Sequence, residues 1–177
     1  MQIELRDLAQ NDIEPIANYW LQSDQDFLIA MGVDLNKIPT RNELTKMLEG
    51  QLNLPDKNKA SLALIIEVNG KAIGHCNVNE ISFGKSAKMH LHLWSSQNRK
   101  LGLGTEMVKR SVPQFFRRLQ LKTLWCEPAA NNPAPNKTLK KLGFNFVKKH
   151  KCIPGYLCFE QEANLYKLSK DDYTNNW

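Results

Sequence analysis

The sequence predicts an α+β (mixed α/β) fold, in which a mostly antiparallel mixed sheet contains one parallel βαβ pair and carries helices on both faces. Two observations predict this fold. Three strand-like segments in the middle of the chain follow one another through the short turns NG and FGKS, which is how antiparallel strands are connected. Residues 88–94 and 122–126, by contrast, are strand-like segments on either side of a long helical pattern at 103–119, which indicates a right-handed parallel crossover. The chain of 177 residues suits one domain, 1–177.

The N-terminal part of the chain starts with an alternating, strand-like stretch at 2–8 and continues with two helical patterns. The first helix is predicted in NDIEPIANYW, with Asn11 as its N-cap and Glu14 three residues later in the capping-box position. The second is predicted in TRNELTKMLEGQL, where Thr40 and Glu43 repeat that spacing. Both helices are therefore expected to begin at a capping box.

The middle of the chain is predicted to form antiparallel strands. Residues 21–39 have no clear period and are expected to be irregular or partly helical. ASLALIIEV and KAIGHCNVNEI are strand-like runs joined by Asn69 and Gly70, a dipeptide typical of tight hairpins. SAKMHLHLWS follows as a further strand. Its alternation places Met89, Leu91 and Leu93 on one face and Lys88, His90, His92 and Trp94 on the other.

The C-terminal half alternates helices and strands. The long helix at 103–119 contains Pro113, which removes one backbone hydrogen bond, so a kink or a break is expected at 110–112. LKTLWCEP, FNFVKKH and EQEANLYKLS are strand-like. NPAPNKTLKKLG is a short helix that Gly143 closes in the C-cap role. The final DDYTNNW is expected to be a polar tail.

Composition and charge narrow the classes of function. The net charge of +6 favours an anionic partner, but it does not distinguish nucleic acid, a membrane surface and a phosphorylated small molecule. The sequence has no apolar run of the roughly 18 residues that a membrane helix needs, so no membrane partner is expected. The N-terminus has no signal-peptide pattern, which predicts a cytoplasmic location. The four cysteines form no CxxC pair and are expected to be thiols.

A loop of small, basic and glycine residues joins the strand HLHLW to the long helix. Gly102 and Gly104 lack Cβ atoms, so an anion can closely approach the backbone N–H groups of residues 101–105 at the positive end of that helix. Arg99 and Lys100 add positive charge. A Rossmann fingerprint and a Walker loop are both excluded by missing residues. The loop is therefore predicted to bind a pyrophosphate, unless its glycines only ease a tight turn.

Two blocks of the sequence resemble the GNAT acyltransferase superfamily. RKLGLG fits the motif Arg/Gln-x-x-Gly-x-Gly/Ala, with which members of the superfamily bind the pyrophosphate of acetyl-coenzyme A (acetyl-CoA). NNPAPNKTLKKLGF is similar to the second block, through Asn132, Lys141, Gly143 and Phe144. The chain most resembles the branch that contains ribosomal-protein N-terminal acetyltransferases and small-molecule amine acetyltransferases. The resemblance implies a GNAT fold, acetyl-CoA as co-substrate and an amine acceptor.

The same resemblance assigns residues to the co-substrate. The end of the strand before the loop is expected to splay away from the LKTLWCEP strand and to offer main-chain groups to the pantetheine arm. Asn132 and Asn136 are expected to hold the co-substrate or to cap the short helix. The complete predicted cofactor-binding set is His92, Leu93, Trp94, Arg99, Lys100, Leu101, Gly102, Leu103, Gly104, Thr105, Asn132 and Asn136.

The catalytic groups are predicted separately, because the chain departs from its relatives. Lys88 and Leu139 stand where some relatives keep a glutamate base and a tyrosine acid. His90 is therefore predicted as the general base, since an imidazole can accept a proton near pH 7, with simple packing as the alternative. Glu127 is predicted to orient the amine or to cap the following helix. No metal is predicted, because His90 and His92 have no evident third ligand.

The sequence does not define the amine. The resemblance places its pocket between residues 20–48 and the IPGYLCFEQE hairpin, with Trp20, Phe27, Met31 and Tyr156 as pocket walls or core residues. Two other functions stay open. One is a nucleic-acid- or ribosome-binding domain that uses the lysines of NKTLKKLGFNFVKKHK, although this run lacks the aromatic residues of single-strand binders. The other is a non-catalytic domain that senses coenzyme A (CoA). A monomer or a homodimer is expected.

Overall fold

The computed structural model describes residues 2–99 and 101–176, and these contain one seven-stranded sheet. The strands are β1 (Ile3–Asp7), β2 (Leu62–Val68), β3 (Lys71–Ser82), β4 (Ser86–Leu93), β5 (Thr123–Cys126), β6 (Asn145–Cys152) and β7 (Gln161–Ser169). Their order across the sheet is β1-β2-β3-β4-β5-β7-β6. Only β4 and β5 are parallel among these strands, and every other neighbouring pair is antiparallel. This confirms the predicted α+β fold with one parallel pair.

Helices cover both faces of the sheet, as predicted. They are α1 (Ile13–Gln22), α2 (Gln25–Ala30), α3 (Arg41–Leu52), α4 (Leu103–Leu119), α5 (Pro133–Lys141) and α6 (Lys170–Asn176). On one face, Met107 and Phe115 of α4 belong to the same buried cluster as Met89 of β4. On the opposite face, Tyr19 of α1 packs edge-on against His92 of β4. The alternation of β4 therefore directs its apolar residues to α4 and its histidines to α1.

Helix α1 begins later than predicted, and Asn11 is not its N-cap. Residues 10–12 form a short 3-10 turn, and Asp12 immediately precedes the helix. The buried Asp12 carboxylate accepts the N–H of Ala9 at 2.9 Å and two hydrogen bonds from Arg6 at 2.6 and 2.8 Å. The ion pair with Arg6, rather than a side-chain cap at Asn11, thus fixes the chain where α1 begins.

Two local predictions are confirmed by hydrogen bonds and backbone angles. At the start of α3, the N–H of Thr40 donates to the Glu43 carboxylate at 2.8 Å, and the N–H of Glu43 donates to Thr40 Oγ1 at 3.4 Å. This is the predicted capping box. Between β2 and β3, Asn69 and Gly70 have φ angles of 51° and 75°, as a tight hairpin turn requires.

Pro113 does not break α4. The helix runs without interruption from Leu103 to Leu119, so a break at 110–112 is wrong, while the alternative of a kink there stays a prediction. Proline removes only the hydrogen bond that would reach the carbonyl of residue 109, and Lys109 is on the exposed side of the helix, where water can replace that bond.

The predicted polar tail is helix α6. Ser169 Oγ accepts the N–H of Asp172 at 3.1 Å, which caps the first turn. The ring of Tyr173 then stacks on Phe116 of α4, with centroids 4.8 Å apart. The spacing of Ser169 and Asp172 is itself a capping signal, so the sequence contained the information that predicts this helix.

Candidate active site

Strands β4 and β5 separate at the edge of the sheet where the loop that precedes α4, residues 94–102, begins. They pair only over Ser86–Lys88 and Thr123–Trp125, although β4 continues to Leu93. The N–H of Trp94 donates to the carbonyl of Ile73 on the β3 side at 3.0 Å. Because main-chain groups alternate in direction along a strand, those of Leu93 face the gap towards β5. The predicted splay is present, and Leu93 offers its main chain to it, whereas the N–H of Trp94 is already bonded.

The loop at the start of α4 exposes backbone amides. Gly102 is the N-cap of α4 with a φ of 77°, and a Cβ there would meet no heavy atom of the described residues within 4 Å. In the described part of the chain, the N–H groups of Leu101, Gly102 and Leu103 have no acceptor. The N–H of Thr105 instead donates to the Gly102 carbonyl at 3.1 Å, so it is already occupied. Lys100 lies outside the described residues.

These features fit the diphosphate of a CoA ester. Unpaired amides at a helix N-terminus attract anionic oxygens, and the open position at Gly102 allows them to come close. Leu103 is buried, so it anchors the loop, while Leu101 and Gly102 form the exposed part of it. A Cβ at Gly104 would meet only the Leu91 side chain at 3.5 Å, an ordinary contact, so Gly104 is less demanding than Gly102.

Arg99 lies beside this loop and contacts helix α2. Its guanidinium carbon is 3.6 Å from the centroid of the Phe27 ring, a cation–π arrangement. The positive charge of Arg99 also acts on the pKa of the Tyr19 hydroxyl, which burial raises and Arg99 lowers. A contact of Arg99 with phosphate stays a prediction. To make it, the guanidinium group would leave the Phe27 ring and pair with the anion.

Asn136 and Asn132 sit at the start of α5, and the buried side chain of Asn136 is fully engaged within the protein. Its Nδ2 donates to the carbonyls of Ala129 and Asn132 at 3.0 and 2.6 Å. Its Oδ1 accepts from Asn164 Nδ2 at 2.7 Å and from the Tyr166 hydroxyl at 3.0 Å. Asn132 is the N-cap of α5 but makes no side-chain cap bond. Asn136 therefore fastens α5 to β7 and does not cap the helix, so the predicted capping role is wrong for it, while a contact with the co-substrate stays a prediction.

His90 faces the side of the sheet opposite α4. Its Nε2 lies 3.0 Å from Asn79 Oδ1. Because an amide oxygen only accepts, this contact places the proton on Nε2 and leaves Nδ1 with a lone pair. Neighbouring residues surround most of the His90 ring, although the residue is half-buried rather than fully buried. Desolvation of the ring, together with the positive charge of Lys88, lowers the His90 pKa to about 4. His90 is consequently neutral at pH 7.

Glu127 is the centre of a charged cluster at the end of β5. Its Oε2 lies 3.2 Å from Lys88 Nζ, and its Oε1 lies 2.6 Å from His150 Nε2. Lys88 also pairs with Glu80 at 3.1 Å. Burial raises the pKa of the Glu127 carboxyl, but the hydrogen bonds from His150 and Lys88 outweigh it, so the net pKa is lowered. Glu127 does not cap α5, because Asn132 occupies that position.

The comparison with protein families shows to which family the chain belongs. A family model described as an acetyltransferase (GNAT) domain matches residues 2–145, which is most of the chain. The chain belongs to the GNAT acetyltransferase family. It is therefore an acyltransferase whose reaction moves an acetyl group from acetyl-CoA to an amine. No curated protein matches the sequence.

Solved GNAT structures share the fold over almost the whole chain. The spermidine N-acetyltransferase of Vibrio cholerae, in complex with CoA and spermine, has a TM-score of 0.81 and 17% identity, covering 98% of this chain and 99% of that one. RimL, a ribosomal L7/L12 alpha-N-protein acetyltransferase in complex with CoA, has a TM-score of 0.78 and 16% identity over 97% and 96%. A ribosomal-protein-S5-alanine acetyltransferase from Vibrio fischeri has a TM-score of 0.76 and 18% identity over 98% and 96%.

Two residues beside His92, His75 and Tyr19, were not identified in the sequence, whereas the neighbouring Trp20 was predicted as a pocket wall or core residue. His75 of β3 stacks on His92 of β4 with ring centroids 4.8 Å apart, and its Nδ1 accepts a hydrogen bond from Trp94 Nε1 at 2.8 Å. The Tyr19 hydroxyl lies 3.2 Å from His92 Nδ1, and the Trp20 ring is edge-on to His92. The hairpin register of β3 and β4 would have placed His75 opposite His92.

Two cavities flank the site without containing His90 or Glu127. The larger, of about 640 Å³, lies between α2 and the strands β6 and β7, and includes Phe159 and Asn164. The smaller, of about 270 Å³, includes Trp94 and Asn98 next to the loop before α4.

Among the described residues, no helix has the length and apolar character to span a membrane. All four cysteines are free thiols.

Proposed function

We propose that this GNAT enzyme acetylates a primary amine that enters from the sheet face carrying His90 and Glu127. The observation that carries the proposal is the gap between β4 and β5, next to which the amides of Leu101, Gly102 and Leu103 have no acceptor among the described residues. Two relatives of the same fold support an amine acceptor. One is named for a ribosomal protein substrate and the other was crystallised with spermine, so the acceptor is a small-molecule amine or a protein N-terminus.

Binding of acetyl-CoA requires two surfaces of the chain. The loop amides, with the charge of Arg99, bind the diphosphate, and the N-terminus of α4 adds its favourable dipole. The main chain of Leu93 lines the gap in which the pantetheine arm extends. Acetyl-CoA supplies the activated thioester. The residues of the chain hold it, keep the amine next to it and take up a proton.

His90 is proposed to accept the proton of the attacking amine. A primary amine has a pKa of about 10.4, so it must lose a proton to become a nucleophile. Asn79 holds Nε2–H of His90, which leaves Nδ1 as the accepting atom. The low pKa keeps this nitrogen unprotonated throughout the neutral range, but it also makes His90 a weaker base than an ordinary imidazole. His90 is therefore proposed to take the proton while the amine attacks the thioester, when the forming N–C bond makes the amine N–H acidic. Glu127 is proposed to orient the cationic amine before transfer, since its carboxylate is ionised and lies on the same sheet face.

Turnover against a panel of amines tests the proposed function. The full-length protein is mixed with acetyl-CoA and with polyamines, simple primary amines or peptides that have a free N-terminus, and thiol release is recorded. We expect turnover with at least one of these classes. Binding of CoA by calorimetry without turnover on any amine would instead support the CoA-sensing alternative.

Replacing His90 by glutamine tests its role. If His90 is the base, His90→Gln lowers kcat by about 100-fold or more, because general-base catalysis contributes roughly that much. The KM for acetyl-CoA should change little, since His90 does not contact the loop that binds phosphate. Steady-state kinetics measure both constants, and a thermal melt verifies folding. A folded variant with an unchanged kcat would assign His90 to packing alone.

Nucleic acid binding has less support than acetyl transfer. The lysines of β6 that suggested it are exposed, but two of them pair with acidic residues: Lys149 with Glu162 at 2.7 Å and Lys151 with Glu160 at 2.5 Å. These pairs reduce the positive charge available to a phosphate backbone.

The free thiols are consistent with a cytoplasmic location, which we propose together with a monomeric or homodimeric state.

A further inference from the structure

Three side chains of different chemistry converge beside the acceptor face. Glu127, His150 and Cys152 each present one potential metal-ligand atom, and these atoms all lie within 4.8 Å of one another. His150 and Cys152 are two positions apart on β6, so they project from the same side of that strand. Glu127 reaches them across β7, where the residue paired with His150 is Ala163, whose methyl group leaves room.

The protons of this group are directed at one carboxylate. His150 Nε2 donates to Glu127 Oε1 at 2.6 Å, and the Cys152 sulfur lies within 4.8 Å of the ligand atom of the same carboxyl group. Burial, and then the charge of Glu127, raise the pKa of the Cys152 thiol, so it carries its proton. Lys88 occupies the other carboxylate oxygen and is itself compensated by Glu80. Two protons thus occupy the space between three ligand atoms, where a cation could replace them.

We propose that Glu127, His150 and Cys152 bind a divalent cation of the zinc class. A thiolate, an imidazole and a carboxylate together suit Zn²⁺, whereas Mg²⁺ and Ca²⁺ prefer oxygen ligands alone. Three protein ligands leave one tetrahedral position for water. On binding, Cys152 releases its proton to solvent and His150 moves its proton from Nε2 to Nδ1. The charges of the thiolate and the carboxylate then balance the charge of the cation.

This site is distinct from the pair His90 and His92, which was considered as a zinc site in the sequence. Those two rings have other neighbours, Asn79 for His90 and Tyr19 for His92. Glu127 is the only ligand of the proposed metal site to which a part in acetyl transfer is also assigned. Metal binding can therefore be tested in the absence of acetyl-CoA and amine.

Cobalt titration tests the metal site directly. The reduced, chelator-treated full-length protein is titrated with Co²⁺, and absorption is recorded. We expect one equivalent to produce a thiolate-to-cobalt charge-transfer band, which Zn²⁺ then removes by competition. Calorimetry in buffers of different ionisation enthalpy should detect about one proton released for each Zn²⁺ bound at neutral pH.

Variants identify the ligands. Cys152→Ser should abolish the charge-transfer band, and His150→Gln should weaken Zn²⁺ binding by at least about tenfold, since each removes one of three ligands. Cys158→Ser is the matched control, because Cys158 is a half-buried thiol near β6 that does not belong to the group. Absence of the band in the wild-type protein overturns the proposal. A band that survives in Cys152→Ser, or is lost in Cys158→Ser, overturns it as well.

Discussion

Replacing Gly102 by alanine should abolish measurable CoA binding in a protein that remains folded. The new Cβ would project into the open space in front of the amides of Leu101 and Leu103, where the diphosphate must approach. We expect affinity to fall by about 100-fold or more, which corresponds to roughly 2.7 kcal/mol. Calorimetric titration with CoA measures this change.

A second glycine separates this effect from backbone strain. Gly84, in the turn between β3 and β4, has a φ of 76° against 77° at Gly102, and a Cβ at either position would meet no described atom within 4 Å. Alanine should therefore cost a similar 1–2 kcal/mol of folding stability, as an approximate value, at both positions. Only Gly102→Ala should lose CoA. Equal CoA affinity in Gly102→Ala and Gly84→Ala would show that the loop does not bind the diphosphate.

Acidification should begin to destabilise this protein near pH 6.5, before its carboxylates titrate. Three histidines lie together on β3 and β4, on the sheet face opposite α4: His75, His90 and His92. Desolvation lowers the pKa of each. From an ordinary value of 6.5, the pKa falls to about 3 for His75 and to about 4 for His90. The unfolded chain therefore binds more protons than the folded one between these values, and stability rises with pH.

The sign and size of this effect follow from proton linkage. The stabilising contribution is complete above pH 6.5 and is lost as the pH falls towards 4 for His90 and towards 3 for His75. Each histidine adds a slope of about 1.4 kcal/mol per pH unit within its window. Urea denaturation at a series of pH values measures this slope.

His75→Gln provides the variant for this measurement. Glutamine keeps an oxygen that can accept the hydrogen bond from Trp94 Nε1, but it does not titrate. The slope of unfolding free energy against pH should fall by about one proton. If the variant and the wild-type protein unfold with the same pH dependence, His75 does not contribute to the acid sensitivity.

Most of the fold could be predicted from local patterns. The capping box at Thr40 and the hairpin at Asn69 depend only on residues close in sequence, and such signals persist in the folded chain. The start of α1 could not be predicted in the same way, because the pair between Arg6 and Asp12 decides it across the turn. Pro113 does not end the helix, because the packing of the buried face of α4 outweighs the lost hydrogen bond and the crowding of the proline ring.

The site could be predicted where it depends on backbone geometry and not where it depends on side chains from distant strands. The glycine spacing predicted a side-chain-free turn at the start of the helix, and Gly102 forms that turn with a φ of 77°. The partners of Glu127 could not be found, since Lys88 and His150 come from strands on opposite sides of β5 and are brought together only by the sheet order. The bonds of Asn136 likewise depend on Tyr166, thirty positions later.

The short contact between β4 and β5 divides the sheet into two unequal plates. Strands β1 to β4 form one plate and β5 to β7 the other, and the seam between them is only Ser86–Lys88 against Thr123–Trp125. Beyond these residues, the part of the chain that the structure describes has no backbone ladder between β4 and β5, and a side-chain contact, that of Cys126 Sγ with the Met89 carbonyl oxygen at 3.3 Å, links the two strands there. An extended molecule bound between the unpaired ends of β4 and β5 would link the two parts of the sheet and limit their relative twisting. The rigidity of the protein is then partly supplied by what it binds.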